Sequence, residues 1–182
     1  YWGSPGLAAQ VLDKRDSLEL CELHPREAEA LNTWGKASHR VRVHQADGYA
    51  QLRAFEPSGR GFVLIDPSYE LQGEYEQAAR NALDFIRRCP KEALLLWFPM
   101  MADKREQDLL EEVMTKAEEP VLYSRLSYKP LVHKDGYRGM VGSGVLLFGP
   151  GKALRKPFGD VARALAASFQ PHRPITAACS WL

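Results

Sequence analysis

Two short, unbroken apolar runs with a helical segment between them constrain the fold more than any other feature of this sequence. Residues 62–65 and 94–98 are entirely apolar, which predicts strands that are buried on both faces. Residues 78–86, between the two runs, carry apolar side chains at helical spacing. A strand, a helix and a strand in succession indicate a crossover unit, so we predict an α/β fold with a mainly parallel sheet.

The rest of the chain continues this alternation. Ser4 is predicted to cap a first helix, and Pro25 to open a second helix that Gly35 ends. Asp47 is predicted to cap a short third helix. The other predicted elements are strands over 17–23, 40–44, 121–126, 145–148 and 175–182, and helices over 107–117 and 153–169. The last strands have few helices between them, which predicts an antiparallel C-terminal edge.

Composition excludes several classes of protein. The 182 residues are 45% hydrophobic, with a net charge of only +1, so the chain has enough apolar surface to fold and is not intrinsically disordered. Its longest apolar run is half the length needed to cross a bilayer. The three cysteines are odd in number and widely spaced, which excludes a disulfide scaffold and a zinc knuckle. We expect buried thiols, a reducing, cytoplasmic location and no membrane association.

The near-neutral total conceals a strongly basic C-terminal region. Residues 123–182 carry 9 Lys and Arg against 2 Asp and Glu, net +7, which suggests an anionic partner such as nucleic acid. The connection between the strands at 121–126 and 145–148 interleaves cations with His133 and Tyr137, a pattern suited to phosphate contacts and base stacking. The candidate nucleic-acid-binding residues are Arg125, Lys129, Lys134 and Arg138.

Three carboxylates follow three predicted strands. Glu22, Asp47 and Asp66 each stand at or just past a strand's carboxyl end, the edge where open α/β sheets bind ligands. A single such residue is equally well explained as a helix N-terminal carboxylate. Three on one edge favour a binding site, in which a carboxylate could accept hydrogen bonds from two ribose hydroxyls.

The sharpest local motif is Asp66-Pro67-Ser68-Tyr69. Its residues could form a pocket for a flipped-out base with an exocyclic amine. The Asp66 carboxylate and the Pro67 carbonyl would accept the two N–H bonds, and Tyr69 would stack on the ring. The alternative is a strand-to-turn corner with a packed tyrosine. Other sites are not supported, because the glycine segments lack phosphate-loop spacing and the histidines lack metal-ligand spacing.

Several motifs together resemble the large-subunit ribosomal RNA adenine-N6 methyltransferase J (RlmJ) family, which are class I S-adenosylmethionine-dependent enzymes with a Rossmann-like sheet. The resemblance covers nearly the whole chain in family order. Its two most specific segments are Glu22-Leu23-His24-Pro25 and Asp66-Pro67-Ser68-Tyr69-Glu70. The other matching segments are Gly3-Ser4-Pro5, Asp16-Ser17-Leu18, Ala46-Asp47-Gly48, Leu64-Ile65, Leu96-Trp97-Phe98-Pro99, Arg138-Gly139-Met140, Ser143-Gly144 and Ser180-Trp181.

The resemblance implies roles for individual residues. It implies that Ser4, Glu22, Asp47, Gly48 and Asp66 form the S-adenosylmethionine site, with Glu22 on the ribose and Asp47 addressing the adenine. It also implies that Asp66 is catalytic and orients the target amine of a flipped adenine for in-line methyl transfer, with Pro67 and Tyr69 completing the pocket. No metal is required. The implied partner is large-subunit ribosomal RNA, free of protein, and the protein is expected to be a monomer.

The chain departs from the family pattern in two places. Ser68 stands where the family usually has a second proline, which predicts a less rigid turn and a slower reaction. No segment matches the family's first strand and glycine-rich cofactor loop. We therefore expect a single methyltransferase domain over 1–182 that lacks an N-terminal segment and the first strand, binds S-adenosylmethionine poorly when isolated, and is inactive alone.

The residues leave two other functions open. One is methyl transfer to a DNA adenine or to a guanine amine, through the same pocket logic. The other is a non-enzymatic nucleic-acid-binding module that uses the basic C-terminal region.

Overall fold

The structure is a computed structural model that describes residues 3–56, 61–71, 73–128, 139–149, 154–169 and 174–182. The chain divides into two compact units, Tyr1–Glu56 and Pro57–Leu182. The expectation of a single domain stays a prediction. Among the described residues, no helix has the length and apolar content that a membrane crossing requires.

The first unit is a two-stranded parallel sheet with three helices. Its elements are α1 (Gly3–Val11), β1 (Leu18–Cys21), α2 (Pro25–Gly35), β2 (Val41–His44) and α3 (Gly48–Ala54). The register pairs Leu18 with Val41 and Cys21 with His44. All five elements were predicted, but α1 begins one residue before Ser4, so Ser4 lies in the first turn and is not the cap.

The second unit is built on a five-stranded sheet in the order β3-β4-β6-β5-β7. Its elements are β3 (Phe62–Ile65), α4 (Glu74–Arg88), β4 (Ala93–Met101), α5 (Glu106–Lys116), β5 (Leu122–Tyr128), β6 (Met140–Phe148), α6 (Arg155–Phe169) and β7 (Ile175–Trp181). β3 and β4 are parallel, whereas the pairs β4/β6, β6/β5 and β5/β7 are antiparallel. The antiparallel C-terminal edge is therefore confirmed, but the expectation of a mainly parallel sheet is wrong for these strands.

The most completely buried side chains of β4 lie on one face of the strand. Leu94, Leu96 and Phe98 are fully buried, and the alternating residues of the strand are only half-buried. Helix α4 contributes alanines and aromatic rings to the core, and α5 contributes Leu109 and Val113. Small side chains on α4 allow the helix to approach the sheet closely.

β3 and the cysteines differ from the sequence predictions. Phe62 is 62% exposed and Leu64 43% exposed, so β3 is not buried on both faces, and it pairs with only one strand in the described chain. Of the three free thiols only Cys89 is buried, while Cys21 is exposed and Cys179 is intermediate. Phe62 and Leu64 stand at alternate positions, so they lie on one face of β3, and it is the side chains of this face that are exposed.

Strand β6 begins five residues earlier than predicted and contains the Gly142-Ser143-Gly144 segment. The sequence prediction placed these glycines before the strand, and glycine is indeed unfavourable in strand interiors. Here Gly144 pairs with Phe98 of β4, and a Cβ at this position would overlap the Phe98 ring. The large ring occupies the space above the glycine, which makes the residue a packing requirement.

Candidate active site

Asp66 follows β3 directly, at the carboxyl end of the only parallel pair in the described part of the five-stranded sheet. Ile65, the last residue of β3, pairs with Leu96, so Asp66 lies beyond the last rung of the ladder. The residue is exposed, yet the protein around its carboxyl group partly desolvates it and raises its pKa. Within the described residues its carboxylate has no hydrogen-bonding or ion-pair partner, so its oxygens are available to a ligand.

Tyr69 holds the turn that follows Asp66. Its backbone is in the left-handed region, with φ of 53°, a conformation that costs a non-glycine residue roughly 1–3 kcal/mol. Its hydroxyl donates a hydrogen bond of 2.6 Å to the carbonyl of Trp97, and its ring centroid lies 4.5 Å from that of Tyr75. The residue is only 7% exposed, so little of the ring that was predicted to stack on a base is accessible.

Tyr75, which sequence reasoning missed, anchors the same region. Its hydroxyl donates to the carbonyl of Pro99 at 3.1 Å, and burial, followed by the nearby Glu106, raises its pKa to about 12. Trp97 and Pro99 both lie beyond Leu96, the last residue of β4 that pairs with β3. Two tyrosine hydroxyls therefore bind carbonyls of β4 where its parallel partner has ended.

Ser68 and Glu74 add polar contacts to this turn. The Ser68 hydroxyl donates to Glu74 Oε1 at 3.3 Å, and the Leu71 amide donates to Glu74 Oε2 at 3.0 Å. Glu74 is the first residue of α4, where a carboxylate is also favoured by the helix dipole. The serine that replaces the family's proline is thus tied to the helix that follows the turn, although its effect on rate stays a prediction.

In the first unit, the structure brings together Glu22, Asp47 and Gly48. Cys21 and His44 are paired at the ends of the parallel strands β1 and β2, so Glu22 and Asp47 follow adjacent strand ends. A Cβ on Gly48 would lie 3.6 Å from Cys21 Cβ, which places the start of α3 beside the end of β1.

Both of these carboxylates already bind the backbone locally. Glu22 Oε1 accepts from the His24 amide at 2.8 Å, and Asp47 caps α3 by accepting from the Tyr49 amide at 2.9 Å. The second carboxylate oxygen of Glu22 has no partner in the described chain. Ser4 is exposed in α1, and no hydrogen bond joins it to the other three residues within the described parts of the chain.

The predicted RNA-binding residues are only partly within the described chain. Arg125 is exposed on β5, whereas Lys129, Lys134 and Arg138 lie outside the described residues. Arg125 is near the hydroxyl of Tyr123, whose pKa is raised mainly by burial. The predicted basic connection therefore stays a prediction.

The sequence matches the profile of the family "Ribosomal RNA large subunit methyltransferase D, RlmJ" over residues 1–182. The chain belongs to this family. It is 30% identical over 184 residues to ribosomal RNA large subunit methyltransferase J of Escherichia coli and 26% identical to the protein of the same name in Haemophilus influenzae. All of this chain is covered in both comparisons, but only 65% and 64% of the relatives.

A solved structure of the protein LPL1258 from Legionella pneumophila is similar throughout the chain. It superimposes with a TM-score of 0.84 at 26% identity and covers 97% of this chain and 65% of that one. A probable spermidine synthase from Corynebacterium glutamicum, at 14% identity and a TM-score of 0.56, shares the fold alone, over 87% of this chain and 56% of that one. The match to the family profile over the whole chain and the mixed α/β architecture together identify a class I methyltransferase fold.

Proposed function

We propose that the protein transfers a methyl group from S-adenosylmethionine to the N6 amine of an adenine in large-subunit ribosomal RNA. The names of both curated relatives support a ribosomal RNA substrate. The observation that carries the proposal is Asp66, an exposed carboxylate without a partner in the described chain, on a turn whose left-handed Tyr69 backbone is held by buried aromatic packing. Strain of this kind is concentrated at functional sites.

The Asp66 turn contains both hydrogen-bond acceptors that are needed to orient an amine. The Asp66 carboxylate and the Pro67 carbonyl accept its two N–H bonds, which directs the nitrogen lone pair away from both acceptors. Holding the nucleophile in line supplies most of the acceleration in such a transfer. Because the Tyr69 ring is buried, we propose that it acts first as the anchor of the turn, and stacking on the base stays a prediction.

The residues of the first unit suit the proposed methyl donor. Glu22 retains one free carboxylate oxygen beside the end of β1, which can accept from a ribose hydroxyl. The Asp47 oxygen that does not cap α3 lies 3.9 Å from a nitrogen of the exposed Arg53 side chain, and it can accept a hydrogen bond from the amine of an adenine ring. When bound, S-adenosylmethionine would supply the electrophilic methyl group, and Glu22, Asp47 and Gly48 would hold it. The assignment of Ser4 and Asp66 to the cofactor site stays a prediction.

The test is methylation of protein-free large-subunit RNA with labelled S-adenosylmethionine, using the natural gene product that contains this sequence. Asp66→Ala is expected to lower the rate at least about 100-fold, the loss that misplacement of a reacting group produces. Asp84→Ala on the exposed surface of α4 is the matched control and should methylate normally. An Asp66→Ala rate equal to the control would contradict the proposal.

Two alternatives are separated by the same assay. The first alternative is methyl transfer to a DNA adenine or to a guanine amine. It is tested by measuring whether DNA or guanine-containing substrates compete with ribosomal RNA for the labelled methyl group. A nucleic-acid-binding module without activity would bind RNA equally well with Asp66→Ala and would incorporate no label. Incorporation at adenine N6 that requires Asp66 is the result expected here.

A further inference from the structure

A groove between α6 and β7 in the second unit has a volume of about 370 Å³ and is open to solvent. It is lined by Arg155, Lys156, Gly159, Arg163 and Cys179. This set, called the α6 groove below, coincides with none of the residues that the sequence or the family resemblance assigned.

Positive charge exceeds negative charge in the α6 groove. Asp160 pairs with both Lys156, at 2.9 Å, and Arg163, and these two cations lower the Asp160 pKa. Arg155 has no carboxylate partner within the described part of the chain. Three cations therefore share one carboxylate, and the side chains of Lys156 and Arg163 are 85% and 65% exposed.

The position of two of these cations is unfavourable for the helix itself. Arg155 and Lys156 lie in the first turn of α6, which contains no acidic residue. The helix dipole favours negative charge at this end and disfavours positive charge. A bound anion would reverse this cost, because it would be attracted by the two cationic side chains and by the positive end of the helix dipole.

Gly159 keeps the groove open. A Cβ at this position would lie 3.3 Å from the Arg163 guanidinium and 3.6 Å from Cys179 Cβ. A larger side chain would press on the guanidinium and fill the space between helix and strand. The absence of a side chain at Gly159 therefore leaves space beside the Arg163 guanidinium, between helix and strand.

We propose that the α6 groove binds the phosphodiester backbone of the RNA substrate. The inference rests on the proposed function and extends it to a second contact remote from the reacting base. Cys179 of the groove lies at the same level of the sheet as Trp97 of β4, through the paired residues Ser124 and Val145. Trp97 follows Leu96, which pairs with Ile65, the residue before Asp66. Four strand spacings of about 4.8 Å separate β3 from β7, roughly 19 Å.

This location makes the groove distinct from the predicted basic connection. Arg125 pairs with Ala178, the neighbour of Cys179, and successive residues of a strand point to opposite faces. Arg125 and the α6 groove therefore lie on opposite faces of the sheet. An RNA strand held in the groove would approach the carboxyl edge of the sheet from the α6 side.

The experiment measures RNA binding at several salt concentrations with the natural gene product. The probes are a 20-nucleotide single-stranded RNA and a DNA of the same sequence. Arg155→Gln combined with Lys156→Gln and Arg163→Gln is expected to lower the slope of log K against log salt by about 2, since each phosphate contact with a single strand contributes about 0.7. Lys14→Gln with Lys36→Gln and Lys91→Gln, which removes the same charge elsewhere, should leave the slope unchanged.

A gain-of-affinity variant separates binding from a structural role. Asp160→Asn removes the only carboxylate among the described residues around the groove, so it should strengthen binding of both probes several-fold. If Asp160 merely stabilises α6, this variant would weaken binding or leave it unaltered, and the proposal would be overturned. Equal slopes for the groove and control triple variants, with normal unfolding temperatures, would also overturn it.

The outcomes distinguish this proposal from the proposed function. Methylation that requires Asp66, together with unaltered salt slopes in the groove variant, would refute the groove alone. RNA binding that requires the groove, without Asp66-dependent methylation, would refute the proposed activity alone. If the groove triple variant loses equal affinity for the RNA and DNA probes, the groove recognises phosphate. A loss of affinity confined to the RNA probe would indicate contacts to the 2′-hydroxyl.

Discussion

The Asp66 turn and the strand ends that carry Glu22 and Asp47 are built in opposite ways. In the Asp66 turn, the carboxylate is unengaged in the described chain while the surrounding backbone is fixed by buried tyrosines. At the ends of β1 and β2, the carboxylates are engaged by local amides while their surroundings are exposed. The first arrangement restricts the backbone and leaves the functional group unsatisfied, and the second uses the functional groups to hold the backbone.

This difference suggests different requirements at the two sites. A group that orients a reacting amine must be placed to within a fraction of an ångström, so rigidity around Asp66 serves rate. A group that binds a hydroxyl contributes affinity and tolerates small movements. We expect substitutions in the Asp66 turn to change kcat, and substitutions at Glu22 and Asp47 to change cofactor affinity.

The largest effect is expected from Asp66→Asn, which should change activity and stability in opposite directions. Activity should fall at least about 100-fold. Because burial raises the Asp66 pKa, the folded state binds its proton more tightly than the unfolded state, and ionisation therefore costs stability. The wild-type protein should lose this stability as pH rises through the raised pKa, whereas the asparagine variant should not.

Thermal unfolding from about pH 3 to neutrality checks this sign. The unfolding temperatures of the two proteins should converge at the acid end, and the variant should be equally or more stable at neutrality. A variant that becomes less stable than wild type as pH rises would show that the carboxylate has a stabilising partner.

A smaller loss is expected from Tyr69→Phe, which tests the anchor of the turn. The change leaves the Trp97 carbonyl without its donor and should cost about 1–3 kcal/mol. It should also lower kcat with little change in cofactor KM. Tyr123→Phe is the matched control, because that buried hydroxyl contacts the side chains of Met100 and Arg125 and not the Asp66 turn. A comparable fall in kcat there would show that the effect is not specific to the turn.

Asp47 offers a way to separate structure from binding in the first unit. Asp47→Ala removes the cap of α3 and should cost about 1 kcal/mol in addition to cofactor affinity. Asp47→Asn keeps a capping side chain, so it should retain stability and still weaken S-adenosylmethionine binding in calorimetry. Equal cofactor affinity of wild type and Asp47→Asn would indicate that the carboxylate is only a cap.

The local signals in the sequence were sufficient for the helices and strands and for the position of Asp66. Caps, prolines and apolar runs act over a few residues, so Asp47, Pro25 and the strand before Asp66 could be identified without tertiary information. The contacts that support the site could not be identified in this way. Tyr75 lies only six residues from Tyr69, but its role depends on carbonyls of β4, more than 20 residues away.

Gly144 and the α6 groove show the same limitation. Glycine in a strand is locally unfavourable, and only the Phe98 ring on the neighbouring strand explains its presence in β6. The basic residues of α6 have the sequence pattern of an ordinary solvent-exposed helix face. The space beside Gly159 depends on how the helix packs on β7, which the sequence pattern does not show. Pairing and packing between distant segments, which leave no local pattern, decide these features.

The smallest effect is expected from Glu19, which lies on β1 in the same unit as Glu22 and Asp47. Arg42 accounts for most of the lowering of the Glu19 pKa, and His44 also contributes, through a contact of 2.8 Å. A depressed carboxyl pKa stabilises the fold above the unfolded pKa, and this contribution is lost as pH falls through the folded pKa. Because the Glu19 side chain is 42% exposed, the effect should stay below about 1 kcal/mol.

Urea unfolding of wild type and Glu19→Gln between about pH 3 and 7 measures it. The two curves should converge at the acid end and separate by less than about 1 kcal/mol at neutrality, and added salt should reduce the separation. A separation as large as that of Tyr69→Phe would mean that a surface ion pair supports the first unit as strongly as buried aromatic anchoring supports the second, and the contrast between the two sites would then be lost.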